Sequence, residues 1–371
     1  MNTIKGNYAE AVVYTNDIEE YAKEQLKLIC DNEISKDTDI RIMPDVHPGK
    51  VGPIGLTMTL GERVMPNLLG VDIGCGILMA KVKTKGLEFQ KLDKVIRENV
   101  PSGFAIRKEQ HLMAEEFDLE RLNCYSHINK EKAGKSLGTL GGGNHFIEID
   151  KGEKDTYVVI HTGSRHLGVE ITEHYIREGQ VKLESMNCDV PYELTWLEGD
   201  LKEAYLHDVS VAQEYAALNR RIILREILKG MKWKESEYTE SVHNYVDVLS
   251  DGRKILRKGA ISARKGQQVV IPVNMRDGVI IGYGKGNMDW NESAPHGSGR
   301  KYKREDVKNN FTVSEFKSGM KGIYSTCIGA GTLDEAPFAY RDMNSILDHI
   351  HETVDVTEIL KPLYNYKAGG Q

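Results

Sequence analysis

The segment Leu69-Gly-Val-Asp-Ile-Gly-Cys-Gly76 places a carboxylate, Asp72, three residues ahead of a thiol, Cys75, in a glycine-rich turn. A hard oxygen and a soft sulfur so close together suit a metal ion, although a lone cysteine in such a run serves equally well as a small buried hydrophobe. Later motifs supply the imidazoles that favour the metal. In Leu140-Gly-Gly-Gly-Asn144-His145-Phe146-Ile147-Glu148, three glycines permit close backbone approach to a ligand, and polar groups flank an apolar pair. Read as a strand, the run points Asn144, Phe146 and Glu148 to one face and His145 to the other, so that one face could hold a nucleotide and the other a metal. The bland alternative is a glycine bend with a satisfied histidine. His161-Thr-Gly-Ser-Arg165 sets an imidazole at a strand end beside a guanidinium, an arrangement suited to anionic ligands. His243-Asn244 marks a further break in pattern. One thiolate among imidazoles and a carboxylate fits manganese or another first-row divalent ion. Ligand type leaves zinc open, but a structural zinc site is disfavoured because there is no Cys-x-x-Cys pair.

Ser293-Ala-Pro-His296-Gly297-Ser298-Gly299-Arg300 sets another histidine among small residues, next to an arginine suited to phosphate. A histidine so placed can act as a nucleophile through a covalent intermediate. Asp45-Val-His47-Pro-Gly49-Lys50 gathers a carboxylate, an imidazole and an ammonium in one tight loop, as readily structural as chemical. Arg257-Lys258, Arg264-Lys265 and Lys301-Tyr-Lys-Arg304 are basic clusters of the kind that ordinarily face solvent, and here they flank the His296 loop. Two common nucleotide signatures fail. Gly134-Lys135-Ser136 has Asn129 where a P-loop needs its first glycine, and Gly282-Tyr-Gly-Lys-Gly286 lacks the spacing and following helix of a dinucleotide fingerprint.

The elements that must position these groups are legible from periodicity. Asp17 to Cys30, with Ile18, Tyr21, Leu26 and Ile29 among charges, predicts an amphipathic helix. A longer one is predicted from Asp200 to Met231 on a stripe that includes Val209, Tyr215, Ile223 and Ile227, with Gly230 near its end. Strands are predicted at Val12 to Tyr14, Gly76 to Val82, Tyr157 to Ile160, Gln268 to Pro272 and Gly278 to Gly282, the last two joined by a hairpin at Arg276-Asp-Gly278. His166, His174, His207, His349 and His351 fall among charges in helical stretches and read as surface residues. Helices and strands interleave without strict β-α-β alternation, so the expected fold class is α+β, with mixed β-sheets and surrounding helices in a single compact domain over residues 1–371.

Composition bounds the rest. A chain of 371 residues, 40% hydrophobic, can bury a sizeable core. There is no apolar run long enough for a membrane span and no apolar leader after Met1, so a cytoplasmic location is expected. Five scattered cysteines, an odd number, argue against a disulfide framework and leave Cys75 free as a thiolate. A net charge of -6 means that any nucleic-acid contact must come from local basic clusters.

In order, Met43-Pro-Asp-Val-His-Pro-Gly-Lys50, Gly70-Val-Asp-Ile-Gly-Cys-Gly76, Gly141-Gly-Gly-Asn-His-Phe-Ile-Glu148, His161-Thr-Gly-Ser-Arg165, His243-Asn244, Arg257-Lys-Gly-Ala260 and His296-Gly-Ser-Gly-Arg300 closely resemble the motifs of the RtcB family of RNA ligases. The resemblance runs from about residue 40 to the C-terminus. It implies a manganese- and GTP-dependent enzyme of RNA repair or tRNA splicing. Its substrate would be RNA with a 3'-phosphate or 2',3'-cyclic phosphate end and a 5'-hydroxyl end, and an activating protein is a candidate partner. Asp72, Cys75 and His145 would hold one Mn²⁺, and Cys75, His161 and His243 a second, with the thiolate bridging. His296 would attack the α-phosphate of GTP, with Asp45 and Arg165 as further catalytic residues. The nucleotide would meet Asn144, His145, Phe146, Ile147, Glu148, His243, Asn244, Pro272, Val273, Asn274, Met275, Gly297, Ser298, Gly299 and Lys367. Tyr340 would stack on the base and Glu148 would accept from guanine. The basic clusters would position RNA backbone without reading sequence. Pro272-Val-Asn-Met275, Tyr302-Lys-Arg304 and the terminal Tyr366-Lys-Ala-Gly-Gly-Gln371 depart from the usual family wording, which suggests a divergent branch. Two competing expectations are a manganese-dependent RNA cyclic phosphoesterase, which needs neither His296 nor GTP, and an inactive paralogue that binds RNA or nucleotide.

Overall fold

One residue, His243, separates the strand Lys234–Val242 from the strand Asn244–Val248, and at that residue the chain passes from one β-sheet into another. Lys234–Val242 edges a seven-stranded sheet that continues through Gly76–Lys83, Thr156–Thr162, Phe146–Lys151, Val354–Lys367, Gly278–Gly284 and Gln268–Asn274, antiparallel throughout. Asn244–Val248 edges a six-stranded sheet that continues through Lys254–Lys258, Ile54–Thr59, Ile40–His47, Glu10–Val13 and Asn2–Lys5. Its one parallel pairing joins Glu10–Val13 to Ile40–His47, with the helix Glu20–Cys30 between them in sequence. These elements belong to a computed structural model that describes residues 2–368, so the last three residues of the terminal motif, 369–371, lie outside it. Among the described residues, no helix is long and apolar enough to cross a membrane. The mixture of sheets and helices is α+β, as expected.

The long helix Gly199–Met231 ties the two sheets together. Its apolar residues recur at three- and four-residue spacing. Tyr205, Val209, Ala212 and Tyr215 enter one hydrophobic core, and Ile223, Leu224, Ile227 and Met231 enter a second. Each fully buried aliphatic side chain contributes about 1.5–3 kcal/mol relative to exposure, so the helix is held by its packing more than by intrinsic propensity. Gly230 is not its cap. The helix ends on Lys232 in the left-handed conformation (φ 57°), and Gly230 is small because a Cβ there would come within 2.4 Å of Val95 on the packed helix Phe89–Asn99.

Other boundaries shift for local reasons. The first predicted helix starts at Glu20 instead of Asp17. The predicted strand through Tyr14 stops at Val13, and the Tyr14 ring stacks on Trp290 at 3.8 Å. In the predicted hairpin Asn274 faces Gly278, so the turn is 275–277. The Asn274 side chain closes it by accepting from the backbone of Arg276 and Asp277, each at 3.0 Å.

Candidate metal centre and adjoining cleft

Every candidate metal ligand stands at one end of the seven-stranded sheet. Cys75 precedes Gly76–Lys83, His145 precedes Phe146–Lys151, and His161 lies near the end of Thr156–Thr162, paired with Ile77 on one side and Phe146 on the other. The His243 backbone N–H donates to the Cys75 carbonyl at 2.9 Å, which fixes the sheet crossing beside the thiol. The side chains converge. Cys75 Sγ lies 3.2 Å from His161 Nε2 and 3.5 Å from His145 Nε2, and His161 Nε2 lies 3.2 Å from His243 Nε2. Two triads result, Cys75/His161/His243 and Asp72/Cys75/His145, sharing the sulfur.

The residues fit a metal pair on their own chemistry. His145 Nδ1 and His161 Nδ1 face the carbonyls of Leu140 (2.8 Å) and Asn144 (3.0 Å), so each carries a proton there and Nε2 is the ring atom turned toward the sulfur. Burial, reinforced by neighbouring imidazoles, holds His161 and His243 well below the usual histidine range, and they are neutral ligands at pH 7. Burial works to raise Asp72, but the His145 imidazole beside it, 3.6 Å away, outweighs that and holds the carboxyl at about 2. The Cys75 thiol is pushed well up by burial and then by Asp72. A carboxylate, three imidazoles and a thiol, with ligand atoms of each triad within 4.8 Å of one another, form a donor set that suits a divalent ion.

The loops holding these ligands are braced from below by the long helix. Arg220, fully buried, donates from Nη1 to the carbonyls of Gly74 (2.8 Å) and Thr162 (3.0 Å). Asn219 accepts from the backbone of Gly138 and Thr139 and donates to Gly163 O at 3.1 Å. Gly163 has no room for a side chain, since a Cβ would fall 2.4 Å from Asp72 Oδ1. Arg165 adopts φ 58°, ψ -138°, a region that costs a non-glycine residue about 1–3 kcal/mol. That conformation carries its guanidinium to Thr139 Oγ1 (3.1 Å) and Gly103 O (2.9 Å), on the Gly141 and His145 side of the cluster.

On the other side of the cluster opens a cleft of about 410 Å³, within the range of small-molecule sites. His296 is on its wall, 4.8 Å ring to ring from His243. The buried Asp45 carboxylate accepts from His296 Nδ1 at 2.7 Å and from the backbone of His296 and Gly297 at 3.2 Å each, so Nε2 is the ring nitrogen not engaged by Asp45. Phe146, Glu148 and Asn144 share the cleft face, as strand alternation requires, and His145 turns to the metal side. Pro272, Val273, Asn274 and Met275 form a second wall, linked to the His296 loop by Ser298 Oγ donating to Val273 O at 2.8 Å. Gly297, Gly299, Tyr340 and Lys367 complete it. Two expected cleft residues are elsewhere. Ile147 is fully buried in the core on the opposite strand face, and the Asn244 side chain is used in accepting from Gly259 N at 2.9 Å.

Glu335, in a run with no motif to flag it, organises the far end of the cleft. Its buried carboxylate takes Lys367 Nζ and Tyr340 OH at 2.5 Å each, together with the guanidinium of Arg304 and that of Arg300. Burial opposes its ionisation, but Lys367, Arg304 and Arg300 hold it at about 2. His47, also on the wall, is lowered to about 4 by burial. Within the expected basic clusters, Arg257 is fully buried on Asp247 at 2.5 Å, Arg264 pairs with the same carboxylate at 2.6 Å, and Arg304 pairs with Asp334 and Glu335. These three guanidiniums are held by carboxylates, whereas Lys265, Lys301 and Lys303 of the same clusters are exposed, Lys303 on the cleft wall.

A family model described as tRNA-splicing ligase RtcB matches residues 33–368. The chain is similar to the RNA-splicing ligase RtcB of Escherichia coli strain K12, 30% identical over 370 residues that take in 89% of this chain and 90% of that one. The RNA-splicing ligase RtcB1 of a second Escherichia coli strain is 31% identical with the same coverage. The tRNA-splicing ligase RtcB of Nanoarchaeum equitans is 26% identical over 84% of each chain.

Proposed function

Because this chain belongs to the RtcB family of RNA ligases, we infer that it joins an RNA 3'-phosphate or 2',3'-cyclic phosphate end to a 5'-hydroxyl end at the expense of GTP. The observation that carries the reading is His296, an imidazole with Nδ1 held by a buried carboxylate, on a cleft wall beside a five-ligand donor cluster. In this reading Nε2 attacks the α-phosphate of GTP, the P–N bond forms as the bond to pyrophosphate breaks, and Asp45 stabilises the cationic ring that results. An oxygen of the RNA 3'-phosphate then takes the guanylate and frees the imidazole. The 5'-hydroxyl attacks the activated phosphate, and GMP leaves as the phosphodiester closes. A cyclic end takes up water first, opening to the 3'-phosphate.

Manganese is the ion proposed for Asp72, Cys75, His145, His161 and His243, where a divalent pair supplies positive charge to the phosphoryl oxygens. Glu148 and Lys367 at the base end of the cleft, with Tyr340 as a stacking face, are proposed to select guanine. Arg165 is proposed to hold the RNA phosphate.

The test is incubation with α-labelled GTP and Mn²⁺, followed by denaturation. Label on wild type that is lost in His296→Ala and Cys75→Ala supports the reading. Metal-loaded wild type that takes no label sinks autonomous ligation and favours the phosphoesterase, the binding paralogue or a required activator.

A further inference from the structure

The long helix ends in a run of cations that form no ion pair among the described residues. Arg221, Arg225 and Lys229 recur every four residues along one exposed face, and Lys232 and Lys234 continue the row beyond the helix end. Of the nearby carboxylates, Glu226 faces His111 at 3.4 Å, Glu240 Arg220 at 3.3 Å and Glu237 Lys81 at 3.6 Å, while Glu235 lies on the groove beside Lys234 without an ion pair to the row and offsets one of its five positive charges. Cations in a last helical turn complement the helix dipole, but that effect does not reach Arg221 and Arg225, and like charges four residues apart destabilise a helix. In a chain with a net charge of -6, folding alone gives no reason for such a row.

The row rims a groove of about 560 Å³ that is quite separate from the cleft described above. Trp233 is the largest side chain of its apolar floor. Tyr238, 41% exposed, forms one edge, with the Arg221 guanidinium 4.9 Å above its ring and donating to its hydroxyl at 2.7 Å. The sheet register gives the distance from the metal ligands. Val242 faces Gly76 beside Cys75, and Lys234 faces Lys83. Seven strand steps at roughly 3.3 Å each put Lys234, at the far end of the groove, about 23 Å along the sheet from the cluster.

We propose that this groove binds the phosphate backbone of the RNA substrate's body, away from the ends being joined. A row of cations over an aromatic platform follows a polyanionic strand by charge and stacking without reading its sequence. The proposal rests on the RNA reading of the cleft, but it is tested by binding alone. The probes are a fluorescent stem-loop RNA ending in a 3'-hydroxyl, which cannot be ligated, and a trinucleotide too short to reach from cleft to groove. Both are followed by anisotropy across a salt series with the full chain and with the triple variant Arg225→Gln, Lys229→Gln, Lys232→Gln. The expected result is a loss of stem-loop affinity of at least roughly tenfold, and a salt slope lower by about 3, one per phosphate contact removed. Trinucleotide binding and melting temperature should be unchanged. Unchanged stem-loop affinity and slope overturn the proposal. So does an equal loss on both probes, or displacement of the stem-loop by polyglutamate as effectively as by unlabelled RNA, which would point to an acidic protein. Failure of guanylate labelling with the groove's salt dependence intact would remove the ligase reading and leave this surface standing.

Discussion

Glu148 is 2% exposed, on the cleft face of its strand, and its carboxylate takes a hydrogen bond from the Asn365 amide. Burial raises its pKa to about 7, against the opposing pull of Asn365 and Lys367. Two residues along the strand, Asp150 is buried with both oxygens unpartnered and is also raised, by burial and then by Glu148. An acid whose folded pKa lies above its unfolded value binds more protons when folded. Its contribution to stability is therefore fully present below about 4.5 and is lost as pH rises through about 7. Glu148→Gln should match wild type in melting temperature near pH 5. It should exceed wild type at pH 8, by on the order of 1–3 kcal/mol, when ligand-free. If the carboxylate selects guanine, GTP affinity in wild type should climb with pH toward 7 and level off, and the variant should lose both the slope and the preference over ATP. A flat GTP affinity across this range would remove Glu148 from base recognition. Motif grammar placed this residue on the cleft face with Phe146, because alternation is a property of any strand, although Asn144 lies in the turn before it. Glu335 escaped because its partners Lys367, Tyr340, Arg300 and Arg304 come from separate stretches of sequence, and nothing local marks their meeting point.

At the scale of elements, the long helix is both the most legible feature of the sequence and the most incompletely read. Its apolar stripe predicted its extent to within a residue, while Asn219 and Arg220 are buried polar residues of the helix that periodicity alone does not single out. They are the buried braces under the metal loops. Arg220→Met should leave two loop carbonyls and Glu240 without partners, lowering stability by about 1–3 kcal/mol for each buried group left unsatisfied. It should also weaken metal binding roughly 10- to 100-fold, the usual cost of loosening the groups that orient ligands. Metal titration by calorimetry beside thermal melts would separate the two effects. A drop in melting temperature with unchanged metal affinity would make Arg220 a packing residue only. The strand Val354–Lys367 shows why other elements stayed hidden. It crosses the middle of the seven-stranded sheet, yet Pro362 argues against a central strand, and the sheet accommodates it with a bulge between Pro362 and Tyr364. Neighbouring-strand register supplies that tolerance, and single-segment periodicity carries no trace of it.

For the whole molecule, the decisive feature is that the donor cluster draws on separate parts of the chain and on the crossing between the sheets. Asp72 and Cys75 lead into one strand, His145 into a second, His161 lies on a third, and His243 is the crossing itself. An ion bound there cross-links the seven-stranded sheet to its six-stranded neighbour, so its binding free energy becomes folding free energy. At a free metal concentration of a hundred times Kd, the gain is about 2.7 kcal/mol, read as a rise in melting temperature. The protonation states fix the pH dependence. At pH 7 Asp72 is already ionised and His161 and His243 are already neutral, whereas burial and Asp72 keep the Cys75 thiol protonated. Binding must therefore displace about one proton, from the thiol, and apparent affinity should rise roughly tenfold per pH unit through the neutral range. Calorimetry with Mn²⁺ in buffers of different ionisation enthalpy measures that proton directly. Cys75→Ser should abolish both the proton release and most of the thermal shift, because the sulfur belongs to both triads. A wild-type protein that bound the ion without releasing a proton, or whose melting temperature ignored it, would show that the two sheets are held together by packing alone and that the sulfur is not a ligand.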